Sequence, residues 1–328
     1  METIMKIAII GLGVIGRVHA EALAILGCHA SVLCDIDAVK AEKARDAYAP
    51  DAKIYTDWEQ MLRDERPDSV HICTPHYLHA KMTVTALNAN INVLCEKPLC
   101  ISDEEIENVL AAEKGSSARL GVCHQNRYNS TVLFLKKHLS GKRILGAHGS
   151  VVWQRTADYY ASADWRGRLD KEGGGALINQ GLHTLDLMLW ICGEPRAVAA
   201  VKENLTLKND IEVEDTVMLR CFGDTGFTLL ATVGGSDNFP VEMSFHTENN
   251  EQILLLPKMV ISNGEIIARE EIRPLGKECY GDGHIRLFED YYRSLRQGTP
   301  FAINGEEGAR AVRLILAAYR SNGEITAF

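Results

Sequence analysis

The stretch Lys6-Ile7-Ala8-Ile9-Ile10-Gly11-Leu12-Gly13-Val14-Ile15-Gly16 decides the fold of this 328-residue chain. An apolar run ends there in Gly-x-Gly-x-x-Gly and passes straight into a helical pattern, the context in which that spacing signals a dinucleotide site. The three glycines have separate tasks. Gly11 permits the tight turn, Gly13 lets the backbone come close to the phosphates, and Gly16 lets the helix pack on the strand while its amino end faces the negative charge. Val14 and Ile15 complete the phosphate-facing turn.

A second buried strand, Ala30-Ser31-Val32-Leu33-Cys34-Asp35, ends in a carboxylate about 20 residues beyond the glycines. Asp35 is expected at the adenosine ribose, where a carboxylate accepts bonds from the hydroxyls and repels a 2′-phosphate. No arginine follows it immediately, which argues for NAD over NADP. The other reading of Asp35 or Asp37 is a cap on the helix that begins near Ala38.

A chain of 328 residues suits two domains, and 46% hydrophobic residues supply ample core. The formal charge of −9 carries no basic stripe, so neither nucleic acid nor an anionic membrane is an expected partner. Nine cysteines form no Cys-x-x-Cys pair, and several fall in apolar strand-like runs, where cysteine acts as a small hydrophobe. A reducing, cytoplasmic location is expected. Neither a signal peptide nor an uncharged run of the roughly 18 residues a membrane span needs is visible.

Strand and helix signals alternate to about residue 120: strands at 5–10, 30–35, 68–73, 91–95 and 118–123, helices at 14–26, 38–48, 57–64, 78–89 and 102–113. Such alternation predicts a parallel sheet covered on both faces. Past Gly121 the pattern changes. A helix at 129–139, a strand at 144–155, a long loop and a helix at 179–191 precede segments of period-two alternation at 196–207, 213–222, 226–234, 241–248, 251–257 and 259–268. They predict one broad, mostly antiparallel sheet, with helices at 283–297 and 305–321 closing the chain. The expected architecture is α/β: a Rossmann domain over 1–122, then an α+β domain over 123–328 for substrate binding and oligomerisation.

Further motifs accompany the glycine loop: His19, then Cys73-Thr74-Pro75-His76-Tyr77-Leu78-His79, then Glu96-Lys97-Pro98, then Gly173-Gly174-Gly175-Ala176-Leu177-Ile178-Asn179-Gln180-Gly181-Leu182-His183-Thr184-Leu185-Asp186. Together with Val213-Glu214-Asp215-Thr216 and the closing Gly305-Glu306-Glu307-Gly308, they make the chain resemble the Gfo/Idh/MocA oxidoreductases over nearly its whole length. That family includes glucose-fructose oxidoreductase and inositol 2-dehydrogenase. The resemblance implies a Rossmann domain followed by an open, mostly antiparallel sheet whose face builds a homodimer or homotetramer.

It also implies hydride transfer between NAD and a secondary hydroxyl of a sugar, sugar derivative or cyclic polyol. Lys97 then bonds the reacting hydroxyl and stabilises charge on its oxygen, and His183 is the base. Four residues before His183, where many members carry aspartate, stands Asn179, which orients the histidine or binds a substrate hydroxyl. Asp186 is expected to tie its helix to the domain. Thr74, Pro75, His79, Glu96 and Lys97 are expected at the cofactor, with His79 near the pyrophosphate and Glu96 at a ribose. Arg127, Tyr128, Arg155, Tyr160, Trp165, Arg166 and His284 join Asn179 and His183 as expected substrate contacts, since aromatic rings stack on sugar faces and guanidinium groups bind hydroxyls and anions. Asp282 is a candidate cap for the helix that His284 begins.

Two other enzyme classes are disfavoured. His183 with Asp186, and His76 with His79, have ligand-like spacing, but no third and fourth ligands match, so no metal is expected. No Gly-x-Ser-x-Gly elbow supports a hydrolase. The alternatives to a freely exchanging dehydrogenase are a catalytically silent NAD sensor and an enzyme whose tightly held NAD couples two sugar half-reactions.

Overall fold

The computed structural model describes residues 5–270, 275–276 and 280–328; Cys279 and the first four residues lie outside the described residues. They form two compact units, Met1–Gln125 with Arg273–Ala309, and Asn126–Ile272 with Arg310–Phe328. The sequence suggests a single break at 122–123. Instead the chain returns to the first unit late, because the helix Gly283–Gln297 carries Phe288, Tyr291 and Tyr292, all buried there.

The first unit is a six-stranded parallel sheet. Its elements are β1 (Ile7–Ile10), α1 (Val14–Ile25), β2 (Val32–Cys34), α2 (Ala38–Tyr48), β3 (Lys53–Tyr55), α3 (Trp58–Glu65), β4 (Ser69–Ile72), α4 (His76–Asn88), β5 (Asn92–Cys95), α5 (Asp103–Gly115) and β6 (Leu120–Val122). The order β3-β2-β1-β4-β5-β6 reverses direction beside β1, and ligands of such sheets bind at the carboxyl ends of the strands at that switch point. β1, β2, β4 and β6 are buried at every residue, as strands covered on both faces must be.

The second unit holds α6 (Ser130–His138), β7 (Ile144–Val152), α7 (Ala157–Ala161), α8 (Leu169–Glu172), α9 (Leu182–Cys192), β8 (Ala197–Glu203), β9 (Thr216–Phe222), β10 (Gly226–Thr232), β11 (Glu242–Thr247), β12 (Gln252–Leu256), β13 (Met259–Ser262) and β14 (Glu265–Arg269). α10 (Gly283–Gln297) belongs to the first unit; α11 (Gly305–Ser321) and β15 (Thr326–Ala327) end the chain. The nine strands run β14-β13-β12-β11-β7-β10-β9-β8-β15, antiparallel except for the parallel pair β7 and β10. α9 packs on this sheet above Gly149, where a Cβ would stand 2.9 Å from the Thr184 methyl and 3.0 Å from Leu229.

Departures from the expected elements have local causes. The strand expected over 259–268 is a hairpin, turned by Asn263 and Gly264 at φ +48° and +90°. The strand expected over 196–207 stops at Glu203. The Asp215 carboxylate gathers the amides of Leu205, Thr206 and Leu207 at 2.9, 2.6 and 3.1 Å, bending that segment away from the ladder. The edge strands β3 and β15 were not expected. Among the described residues, no helix is long and apolar enough to cross a membrane.

Candidate functional site

The glycine loop is built as its spacing demands. Gly11 lies at φ +89°, with space for a Cβ blocked by the Cys73 carbonyl at 2.6 Å, and a Cβ on Gly16 would fall 1.8 Å from the Gly11 carbonyl oxygen. Gly13 differs: a Cβ there meets nothing within 4 Å. Open space over a backbone that begins α1 without a side-chain cap leaves first-turn amides for an anion. Val14, half exposed, follows at once. Asp35 accepts from the Leu12 amide at 2.7 Å and the Asp37 amide at 2.9 Å, which fixes its carboxylate beside the loop. The cap on α2 is Asp37, bonded to the Val39 amide at 3.1 Å, so the capping task expected of Asp35 or Asp37 falls to Asp37. These residues fit a dinucleotide.

Thr74 and Pro75 follow β4, and Pro75 begins α4, again with no side-chain cap. His79 departs from the expected place at the pyrophosphate. It is 1% exposed, and its ring lies 2.8 Å from the Thr74 carbonyl and 2.7 Å from that of Pro98, holding the two loops together. Burial keeps its pKa below the ordinary 6.5, so a neutral ring donates to one of these oxygens.

Glu96 likewise turns inward instead of toward a ribose. One oxygen meets His19 Nε2 at 3.0 Å, and the other accepts from the Lys97 amide at 3.2 Å. His19 Nδ1 continues to His71 Nδ1 at 2.9 Å, and His71 Nε2 to the Tyr292 hydroxyl at 2.6 Å. Burial resists the charge on Glu96, but the His19 bond prevails and its pKa stays below the ordinary carboxylate range. This buried chain fixes the backbone from which half-exposed Lys97 projects. His19, Glu96, Cys123 and His284 each offer one atom of a metal-ligating type, all within 4.8 Å of one another, a grouping that the sequence spacing did not signal; His19 and Glu96 are also bonded to each other.

In the second unit every residue from Glu172 to Leu189 is buried except Asn179 and His183. The triple glycine explains how this segment seats. A Cβ on Gly174 would collide with Tyr319, and one on Gly175 would lie 1.8 Å from the Glu214 carbonyl oxygen. The Glu214 carboxylate accepts from the Gly175 and Leu177 amides at 2.9 and 3.1 Å and from the Tyr319 hydroxyl at 2.7 Å. From there Leu177–Gly181 makes one π-helical turn before α9, a local irregularity frequent at functional sites. The Asn179 side-chain amide donates to Glu172, whose other oxygen accepts from the Gly167 amide. Burial pushes the Glu172 pKa up to about 7 despite those two donors. Sequence reasoning missed Glu172, which in Leu169-Asp170-Lys171-Glu172 reads as part of a solvated charged face; its position directly before three glycines was the usable signal.

The remaining expected substrate contacts do not all come together. Arg155, Trp165 and Arg166 do assemble, around Tyr159: Arg155 and Arg166 lie 5.1 and 4.4 Å from the Tyr159 ring centre, and Arg166 lies 4.6 Å from that of Trp165. Tyr128 is half-buried. Three others are committed elsewhere. Arg127 is bound to Asp186 inside the unit, at 2.6 and 2.8 Å, which supplies the tie expected of Asp186. Tyr160 is a core residue packed with Ala176, Leu207, Ile211, Val213 and Val233. His284 is 1% exposed and edges onto Phe288, and burial lowers its pKa to about 4. Asp282 begins α10, but its carboxylate pairs with Arg286 at 2.6 Å instead of capping.

Residues 5–124 match an oxidoreductase family with an NAD-binding Rossmann fold, and residues 142–247 match the GFO/IDH/MocA C-terminal domain. Inositol 2-dehydrogenase of Salmonella typhimurium (strain LT2) is 31% identical over 304 residues, spanning 90% of this chain and 87% of that protein. The chain belongs to the Gfo/Idh/MocA oxidoreductase family. As a Gfo/Idh/MocA chain it is an NAD-binding oxidoreductase with a Rossmann domain and an open second sheet. The scyllo-inositol 2-dehydrogenase (NADP(+)) of Bacillus subtilis (strain 168) is 27% identical over 98% of this chain and 94% of its own. The WlbA dehydrogenase of Bordetella pertussis, solved with NADH and UDP-GlcNAcA, has a TM-score of 0.85 and 25% identity over 99% of both chains.

Proposed function

We propose that this protein is an NAD-dependent dehydrogenase that oxidises a secondary hydroxyl of a sugar, a sugar derivative or a cyclic polyol. The observation that carries this reading is the pair Asn179 and His183, the two side chains that break an otherwise buried run. NAD, when bound, supplies the hydride acceptor. His183 accepts the hydroxyl proton, for which a neutral imidazole is suited near pH 7. The role of Lys97 is to donate to a substrate oxygen and stabilise its developing charge, a task that leaves the ammonium protonated. Asn179 bonds the histidine or the hydroxyl, and the Arg155–Tyr159–Trp165–Arg166 cluster offers stacking faces and donors to a sugar.

The test follows NADH absorbance across inositols and free, phosphorylated and nucleotide-linked sugars, with NAD and NADP in parallel. Turnover with NAD that both Lys97→Ala and His183→Ala abolish supports these roles; turnover that survives both sinks them. Cofactor absorbance on the freshly purified protein would identify retained NAD.

The outer face of the second sheet supports a homodimer or homotetramer. Val201, Met218 and Leu230 are adjacent on β8, β9 and β10, and Val201 and Met218 are 56% and 62% exposed. A contiguous apolar patch of this kind marks a contact surface. Sedimentation of the wild type against Met218→Lys checks it, with a monomeric wild type as the refuting result. Buried, unpaired cysteines such as Cys34, Cys95 and Cys221 support a reducing, cytoplasmic setting.

A further inference from the structure

Asn179 carries no ionisable group of its own, yet the structure puts a carboxylate within its reach. The Glu172 side chain is 1% exposed and is held at both oxygens, Oε2 by the Gly167 amide and Oε1 by the Asn179 side chain. We propose that Glu172 is the titrating partner of Asn179, and that its protonation reverses the Asn179 amide and so changes the hydrogen-bonding sense of the side chain four residues before His183. The proposal rests on the dehydrogenase reading for its catalytic meaning, though not for its chemistry.

These two bonds of Glu172 give the reversal its form. A backbone N–H can only donate, so Oε2, facing Gly167, accepts in either state. Under the proposal the proton goes to Oε1, the oxygen that meets Asn179. An ionised Oε1 accepts from the Asn179 amide nitrogen, which turns the amide oxygen away from Glu172. A protonated Oε1 must donate, and its acceptor is the Asn179 oxygen, so the amide rotates and its nitrogen turns away. Ionised Glu172 thus makes Asn179 an acceptor, suited to orienting a hydroxyl that is to lose its proton. Protonated Glu172 makes it a donor, suited to a ketone oxygen in the reverse reaction.

The surroundings bring this titration into the working range. Burial raises the Glu172 pKa to about 7, Arg166 opposes that rise, and Glu214, itself bonded to Tyr319, adds to it. Tyr160, across the same interior, is a phenol pushed up beyond its ordinary range and stays neutral.

The experiment needs no substrate. In protein labelled with [¹⁵N]asparagine, the Asn179 side-chain resonance, assigned by its loss in Asn179→Ser, is followed from about pH 5 to 9. It should shift with a midpoint near 7. The shift should vanish in Glu172→Gln and persist in His183→Leu, so either variant decides the source if the other fails to fold. A resonance that does not move, or moves in Glu172→Gln as in wild type, overturns the proposal. With a substrate in hand, a required ionised Glu172 contributes an approximately thirtyfold rise in oxidation kcat/KM between about pH 5.5 and 8.5, absent from Glu172→Gln. An inactive protein whose Asn179 signal titrates would refute the dehydrogenase reading alone, and an active one with a silent signal would refute this proposal alone.

Discussion

Arg127 and Asp186 meet as a two-point ion pair inside the second unit, Nε to Oδ2 at 2.8 Å and Nη2 to Oδ1 at 2.6 Å, with 4% and 1% of their side chains exposed. Trp190 lies 5.5 Å from the guanidinium, closing its face. Asp186 is three residues beyond His183 on α9, so the pair locks the helix that presents the candidate base. Removing one partner takes from the other its buried, two-point counter-charge. Arg127→Met should therefore cost about 3–5 kcal/mol in urea unfolding, and Arg127→Met with Asp186→Leu should recover most of it.

Gly13 and Gly16 should respond oppositely to the same methyl group. Gly16→Ala drives a Cβ into the Gly11 carbonyl and should destabilise the protein by at least about 2 kcal/mol. Gly13→Ala meets no protein atom and should change stability by less than about 1 kcal/mol, while NAD affinity falls about tenfold or more. Thermal unfolding and cofactor titration on both variants separate a packing glycine from one reserved for the ligand.

Lys97→Ala and His183→Ala should each lower kcat by about 10²-fold or more. His183→Ala should leave NAD affinity nearly unchanged, whereas Lys97→Ala, at a residue also expected at the cofactor, should weaken it. A loss of cofactor binding in His183→Ala that parallels its loss of kcat would reassign that residue.

Glu172 makes stability depend on pH with a definite sign. Its folded pKa, about 7, lies above the ordinary 4.5, so the folded state holds the proton longer. Below about pH 4.5 the group contributes no difference; as pH rises to about 7, stability falls, and beyond that the loss is complete at roughly 3 kcal/mol. Glu172→Gln should gain stability over wild type across that window and hold a constant advantage above it. Thermal midpoints of both proteins from pH 4 to 9 measure the difference; parallel curves would refute it.

Much of the architecture was legible because its signals are local. The apolar run into Gly11, the alternating blocks to residue 120 and the period-two segments after 196 each report on neighbours in sequence. β3 was not, since two residues of Lys53-Ile54-Tyr55 are half-buried and one is exposed, leaving no apolar pattern. The return of Phe288, Tyr291 and Tyr292 to the first unit depends on partners far away in sequence, such as Ser69 and His71, and no local pattern carries it. The site divides in the same way. The glycine turn and the placing of Asn179 and His183 on consecutive helical turns follow from spacing, but whether an arginine or tyrosine faces a ligand or the interior does not. Arg127 and Tyr160 have the residue types of sugar contacts and the surroundings of core.

The parallel pairing of β7 with β10 has a consequence for how this family can diversify. Everything between Val152 and Gly226, including the aromatic loop, the π turn, α9, β8 and β9, is strung within the connection that joins those two neighbouring strands. The reach from 153 to 168 is surface loop and one short helix that contribute no strand to the sheet. Doubling such a loop costs little in closure entropy, about 0.6 kcal/mol. If this segment meets the substrate as proposed above, substrate preference changes by exchange of one cassette, pinned at one end by the sheet and at the other by the Glu172 and Glu214 clamps, with the remaining scaffold unaltered.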